Sequence, residues 1–282
     1  MLKVIDSGFY STLQDAGRTG FRDHGVPISG AMDMYSCQFA NTLLSNSIDA
    51  AVIEMTMVGG IFQFTKPTYI AISGAAMPLK INDISVKLNV VITVNQGDII
   101  TFGRAAEGFR TYLAVKGGFE TSVILGSRSQ YSSVTPANSL KNGDSLRYNP
   151  YTKTLLKQNS IVKYRSSILT STILETYKGP EFDLLTETQK VLLLNTEFSV
   201  SKNNNRMAYQ LQPFLKNELQ SILTSPVLPG TIQLAPSGQL IVLMRDCQTT
   251  GGYPRILQLK ENAVNILSQK TTGNLLKISI EH

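Results

Sequence analysis

The chain has 282 residues, room for one large or two modest domains, and 42% hydrophobic against 16% charged residues excludes a disordered chain. Its net charge of +6 comes from scattered Lys and Arg, without the concentrated basic face that nucleic-acid binding requires. Cys37 and Cys247 are too few and too far apart for a disulfide framework or a zinc site, so no metal is expected.

The first residues, Met1–Tyr10, lack the apolar core of a signal peptide, and no run of apolar residues is long enough to span a bilayer. A soluble, cytoplasmic protein without nucleic-acid or membrane partners is the expectation. Leu2–Ile5 reads as a short strand. Ser7–Asp33 follows as a glycine-rich stretch that carries Gln14, Asp15, Arg18, Arg22, Asp23, His24 and Asp33. Its glycines let the backbone turn and approach a ligand closely. A loop of this kind feeding a helix N-terminus suits a polar or anionic ligand. It equally suits a hydrogen-bonded loop covering a barrel. Met34–Leu44 has helical periodicity, and Asp33 stands where it either caps that helix or serves chemistry.

Beyond the helix the texture is β. Strands are expected near Ala51–Thr56, Ile61–Phe64, Tyr69–Ser73, Leu79–Ile81, Val90–Val94, Asp98–Phe102 and Thr111–Val115, separated by Gly, Asn and Asp turns. Such short, closely spaced strands indicate a barrel or sandwich. A polar crossing over Asn149–Ser171 places a boundary near residue 165. This divides the chain into residues 1–165, with the glycine-rich loop, and residues 166–282. The second half repeats the texture. Strands are expected at Ile173–Tyr177, Phe198–Ser201, Met207–Leu211, Thr231–Leu234, Leu240–Arg245, Arg255–Leu259 and Leu275–Ile280, with helices near Thr186–Leu194 and Glu261–Ser268. The fold class is therefore mainly β with short helices, arranged as two related β-barrels.

A second chemical cluster is Met244–Pro254, where an apolar strand delivers Asp246, Gln248, Thr249 and Thr250 into Gly251-Gly252 and Tyr253. A carboxylate, an amide and hydroxyls beside exposed backbone N–H groups recognise a small amide or carboxylate. The alternative is a hairpin whose side chains satisfy its own turn. Gly126-Ser127-Arg128-Ser129 is a third candidate, an Arg between hydroxyls suited to a carboxylate or phosphate, or to a structural salt bridge. His24 and His282 are the only histidines, and no Gly-x-Ser-x-Gly elbow accompanies them, which argues against triad hydrolysis. No Gly-x-x-x-x-Gly-Lys-Ser/Thr loop offers a nucleotide site. Acid–base work is left to Asp15, Asp33 and Asp246, with Glu54 outside them.

On these residues the chain resembles the biotin-dependent carboxyltransferase family. Its members are called the C-subunit of 5-oxoprolinase, allophanate hydrolase subunit 2 or the antagonist of a sporulation-kinase inhibitor. The resemblance rests on Thr12–Arg18, Gly25–Asp33, Ala40-Asn41, Gly117-Gly118, Gly126–Ser129, Gly179-Pro180-Glu181, Gly230–Gln233 and Gln248–Pro254. It implies two cyclophilin-like barrels and a sister subunit of related fold. With a third subunit, that pair would open 5-oxoproline to L-glutamate using ATP, held at a site not assignable to this chain. The alternatives it implies are a urea-carboxylating, biotin-dependent carboxyltransferase and a non-catalytic partner of a kinase-inhibitor homologue. The implied catalytic residues are Asp246, Asp33 and Asp15. The substrate-binding set is Gln14, Arg18, Ser29, Gly30, Arg128, Gln248, Thr249, Thr250, Gly251, Gly252 and Tyr253.

The chain departs from the family pattern at Ala208 and Gln210, at Arg245 and Cys247, and at Ala263, where an Asp is expected. Pro78 stands where a biotin-carrier lysine would be in Ala76-Met77-Pro78-Leu79-Lys80, so the chain is not its own carrier. Without a self-contained catalytic set, it is expected to be inactive alone. Asp246→Asn is expected to leave the fold stable while costing about 10²-fold in rate.

Overall fold

The computed structural model describes residues 1–154 and 162–281. His282 and part of the polar crossing at 149–171 lie outside the described residues. The chain forms two compact units, one of Met1–Arg18 and Asp33–Leu169, the other of Thr19–Met32 and Thr170–His282. The middle of the glycine-rich stretch thus groups with the second unit, whereas the sequence reading kept the whole stretch in the first.

In the first unit the strands are β1 (Leu2–Asp6), β2 (Tyr10–Gln14), β3 (Val52–Thr56), β4 (Ile61–Phe64), β5 (Thr68–Gly74), β6 (Leu79–Ile81), β7 (Ile84–Ser85), β8 (Val91–Val94), β9 (Ile99–Phe102), β10 (Arg110–Val115) and β11 (Ser145–Leu146). They make a six-stranded sheet in the order β11-β1-β4-β9-β6-β7 and a five-stranded sheet in the order β2-β3-β10-β5-β8. Both contribute to one apolar core, with Leu2, Phe62, Phe64 and Ile100 from the first sheet and Leu13, Ile53, Ile72 and Leu113 from the second. Each such side chain contributes about 1.5–3 kcal/mol by leaving water. Helix α1 (Met34–Leu43) packs on β5 and β10, which covers the outer face of these two strands and explains why every residue of β10 is buried. Strand β2 was not expected. Its flanking glycines and polar Ser11, Thr12 and Gln14 read as loop, yet it pairs with β3 along its full length and buries four of its five residues.

A one-turn helix, α2 (Ser167–Thr170), stands where the chain passes from one unit to the other. The second unit contains β12 (Ile173–Lys178), α3 (Glu187–Asn195), β13 (Glu197–Asn204), β14 (Ala208–Gln212), β15 (Ser225–Pro226), β16 (Thr231–Leu234), β17 (Leu240–Leu243), β18 (Thr250–Gly251), β19 (Arg255–Leu259), α4 (Glu261–Ser268) and β20 (Leu275–Ile280). Seven strands close a barrel in the order β12-β19-β16-β17-β14-β13-β20, sealed by the parallel pairing of β12 with β20. Closure removes the sheet edges. Thr186 and Gln189 form a capping box at the start of α3, worth about 1 kcal/mol. The expected mainly β architecture with short helices is the one observed.

The Gly179-Pro180-Glu181 motif has a packing explanation. A Cβ on Gly179 would lie 2.1 Å from the Arg255 carbonyl oxygen, so only glycine permits this approach. Beyond it, Glu181 accepts from Arg255 Nε at 3.0 Å and Nη2 at 2.8 Å, which fastens the chain to β19. The hydrogen bonds from Arg255 hold the Glu181 carboxyl below its ordinary value of 4.5. A lowered carboxyl contributes stability that is fully present above the ordinary value and is lost as pH falls through the lowered one. Glu181→Gln should therefore melt below the parent at pH 6–7, by about 2 kcal/mol, and the gap should close on acidification below pH 4.5. Thermal melts across pH 3–7 check this. A gap that stays constant would assign the loss to packing.

Candidate functional site

The predicted residues fall into two sets, one in each unit. In the first unit Asp15, just past the end of β2, is a hub. Its Oδ1 accepts from the Gly17 amide at 2.8 Å, the Ser127 hydroxyl at 2.6 Å and the Ser129 hydroxyl at 2.7 Å, and its Oδ2 accepts from the Arg128 amide at 2.5 Å. Buried polar hydrogens at this density explain why two hydroxyls flank Arg128 in the sequence. Arg18, fully buried, donates to the Ser129 carbonyl at 2.5 Å. Gln14 donates from Nε2 to Thr12 at 3.0 Å and to the Gln130 carbonyl at 3.2 Å, while its buried Oε1 has no partner among the described residues. The Arg128 side chain binds the Thr121 carbonyl and lines a cleft of about 570 Å³.

Asp33 is the N-cap of α1. Its Oδ1 accepts from the Ser36 amide at 3.0 Å, its Oδ2 accepts from the Ser36 hydroxyl, and its own amide donates to the Tyr112 hydroxyl at 2.8 Å. The capping alternative is the arrangement seen. Cys37, one turn on, is buried, and its thiol pKa is raised well above 9.0 by burial and then by Glu54 and Asp33. It is no thiolate nucleophile at neutral pH.

In the second unit, Thr19–Met32 runs along the segment that follows β17. Arg22 donates to the Thr249 carbonyl at 3.2 Å and to the Val227 carbonyl, and the Ser29 amide donates to the Arg245 carbonyl at 3.0 Å. Arg206 donates to the Gly30 carbonyl at 2.6 Å. The same guanidinium grips Asp246 in a fork, Nε to Oδ2 at 2.8 Å and Nη2 to Oδ1 at 3.1 Å. The alternative in which Asp246 merely caps its own turn through Thr249 and Thr250 is not the arrangement seen, since the carboxylate is held by an Arg forty positions earlier. With this pair in view, the expected result of Asp246→Asn becomes a loss of stability. The two side chains are only 7% and 11% exposed, and removing the negative partner strands a buried cation.

Around this pair several polar atoms have no partner among the described residues, namely Ser29 Oγ, Arg22 Nη1, Gln248 Oε1 and Arg245 Nε. Ser29 is fully buried and its backbone sits at φ 57°, a left-handed conformation unusual for a non-glycine residue. Thr250-Gly251 forms β18 and pairs with β15, and a Cβ on Gly251 would lie 2.5 Å from Gln233 Nε2. Gln233 donates to the Tyr253 carbonyl at 3.3 Å, and Gly252 accepts from the Ile222 amide at 2.9 Å. Two motifs distant in sequence thus meet in one packed turn. Burial raises the Cys247 thiol to about 11, against the opposing pull of Arg22.

Arg206 and Arg22 were missing from the predicted site. Arg206 carried a signal, since it stands two residues before the departure at Ala208. The departure at Arg245 has its own use, since its guanidinium pairs with Glu261 at the start of α4 and reaches Asn265 at 3.4 Å. Gln210 accepts from Asn203 at 3.0 Å, and Ala263 is buried on α4. His24 and Asp23 are 3.8 Å apart with both side chains largely exposed, on a short turn without a nucleophile. Among the described residues no cluster of His, Cys, Asp and Glu could hold a metal ion, and no helix is long and apolar enough to cross a membrane.

The carboxyltransferase domain family, subdomains A and B, is matched over residues 24–279. The C-subunit of 5-oxoprolinase from Escherichia coli is 32% identical over 97% of this chain and 89% of its own length. The same-named protein of Haemophilus influenzae is 29% identical over 98% of this chain and 90% of its own. Among solved structures, urea amidolyase of K. lactis superposes with a TM-score of 0.86 at 26% identity over 98% of this chain, which spans 18% of that enzyme. TTHA0988 gives a TM-score of 0.86 at 23% identity, and this chain spans 55% of it.

Proposed function

The chain belongs to the carboxyltransferase domain family, and on that footing we propose that it is the C-subunit of an ATP-dependent 5-oxoprolinase, opening 5-oxoproline to L-glutamate with a sister subunit and a third subunit. The observation that carries this reading is the nearly end-to-end match to bacterial proteins named as that 5-oxoprolinase component.

Opening a lactam requires breaking amide resonance. Transfer of a phosphoryl group from ATP to the lactam oxygen turns that oxygen into a leaving group, and water then completes the hydrolysis. In this chain Gln248 recognises the lactam amide, and Arg22 and the Gly251-Gly252 backbone recognise its carboxylate. All three aspartates are already engaged, Asp15 by amides and hydroxyls, Asp33 by the helix start and Asp246 by Arg206. Carboxylates bound in this way hold neighbours in place, so the proton transfers fall to the partner subunits and the chain alone is inactive.

A second reading, a carboxyltransferase acting on urea, is favoured by the fold shared with urea amidolyase. With Pro78 at the carrier position, biotin would have to arrive on another polypeptide. Offering the assembled complex 5-oxoproline with ATP, or urea with carboxybiotin, separates the two. Equal amounts of glutamate and ADP are expected. Carboxylated urea without glutamate would establish the second reading.

A further inference from the structure

We propose that the first unit carries a separate binding site for a small phosphate-bearing anion, in the cleft of about 570 Å³ between the Arg128 loop and β11. The cleft is lined by Glu120, Thr121, Ser122, Arg128, Ser145 and Arg147. Its volume suits a small ligand, and every residue that lines it is polar or charged. Neither Arg128 nor Arg147 has a carboxylate within ion-pairing distance among the described residues. The other arginines that pair do so with named acids, as Arg206 does with Asp246 and Arg255 with Glu181.

Two guanidinium groups at one cleft, neither engaged in an ion pair among the described residues, offer an anion several charge-assisted hydrogen bonds. Arg128 is also built in place. Its amide binds Asp15 Oδ2 and its side chain binds the Thr121 carbonyl, so its head is positioned before any ligand arrives. Glu120, the one carboxylate of the lining, accepts from Asn149 Nδ2, and its amide donates to the Arg147 carbonyl at 2.7 Å. The cleft therefore keeps a net positive charge of one. Ser122 and Ser145 add hydroxyl donors, which a phosphate with several acceptor oxygens uses more fully than a lone carboxylate. The proposal concerns binding by this chain and stands whether or not the complex opens 5-oxoproline.

Pyrophosphate is the probe, titrated calorimetrically into the full chain, with inorganic phosphate, ATP, glutamate and 5-oxoproline as further arms. Saturable binding of pyrophosphate or ATP is expected, weakened at least tenfold by Arg147→Gln, whose side chain is exposed and whose loss spares the fold. Arg128→Gln should weaken it comparably. Lys87→Gln, just past β7 at the opposite edge of the same sheet, should leave it unchanged. Tight phosphate binding without ATP binding would identify inorganic phosphate as the ligand, and tight ATP binding a nucleotide. No saturable binding of any phosphate, binding of the carboxylates alone, or equal weakening by Lys87→Gln would overturn the proposal.

Discussion

Replacing Asp246 with alanine should lower the stability of the chain by about 3–5 kcal/mol, the scale for breaking a buried ion pair from one side. Arg206 would be left as a buried guanidinium with the Gly30 carbonyl as a remaining acceptor. For a chain of this size that is a fall in melting temperature on the order of 10 °C. Arg206→Met should cost a similar amount, because it strands the carboxylate instead. The double variant Arg206→Met/Asp246→Leu should recover most of the loss, since a pair of apolar residues of similar volume often replaces a buried ion pair at little cost. Denaturant melts of the four proteins give the coupling energy. Losses that simply add would show that the two side chains act independently and would remove Arg206 as the organiser of this segment.

The second large effect is expected at Asp15. Asp15→Ala removes the acceptor of hydrogen bonds from Gly17, Ser127, Arg128 and Ser129, several of them from buried donors. Each hydrogen bond to a charged group is worth about 1.5–3 kcal/mol, and the stranded donors add their own desolvation cost. A loss of about 3 kcal/mol or more follows, concentrated in the 126–129 loop. Hydrogen exchange should show the Arg128 and Ser129 amides losing protection before the core strands β3 and β10. Asp15→Asn should retain part of the stability, because its amide oxygen still accepts. Unchanged protection at Arg128 would place the hub elsewhere.

Much of the β architecture was legible because the strands alternate or run apolar between Gly, Asn and Asp turns, as at Ile61–Phe64 and Leu275–Ile280. Strand β2 was not, because Ser11, Thr12 and Gln14 are buried polar residues whose strand character depends on pairing with β3. The two-residue strands at Ser145-Leu146 and Ser225-Pro226 exist only through partners far along the chain, Leu2-Lys3 and Thr250-Gly251. The two chemical stretches were visible in the sequence, since glycines and polar side chains concentrate there. What joined them was not. Nothing local to Asp246 points to Arg206, and nothing local to Asp15 chooses Ser127 and Ser129 over other hydroxyls. Those pairings come from tertiary placement, as does the division of the glycine-rich stretch at Thr19 and again at Asp33.

An omission series on the reconstituted complex decides whether the chain is the oxoprolinase subunit proposed here. With this chain, its sister subunit, the third subunit and ATP all present, 5-oxoproline should yield glutamate and ADP in equal amounts. Leaving out this chain should abolish both products, and the chain alone with ATP should yield neither. Undiminished glutamate formation without the chain, or turnover by the chain unaided, would contradict that assignment.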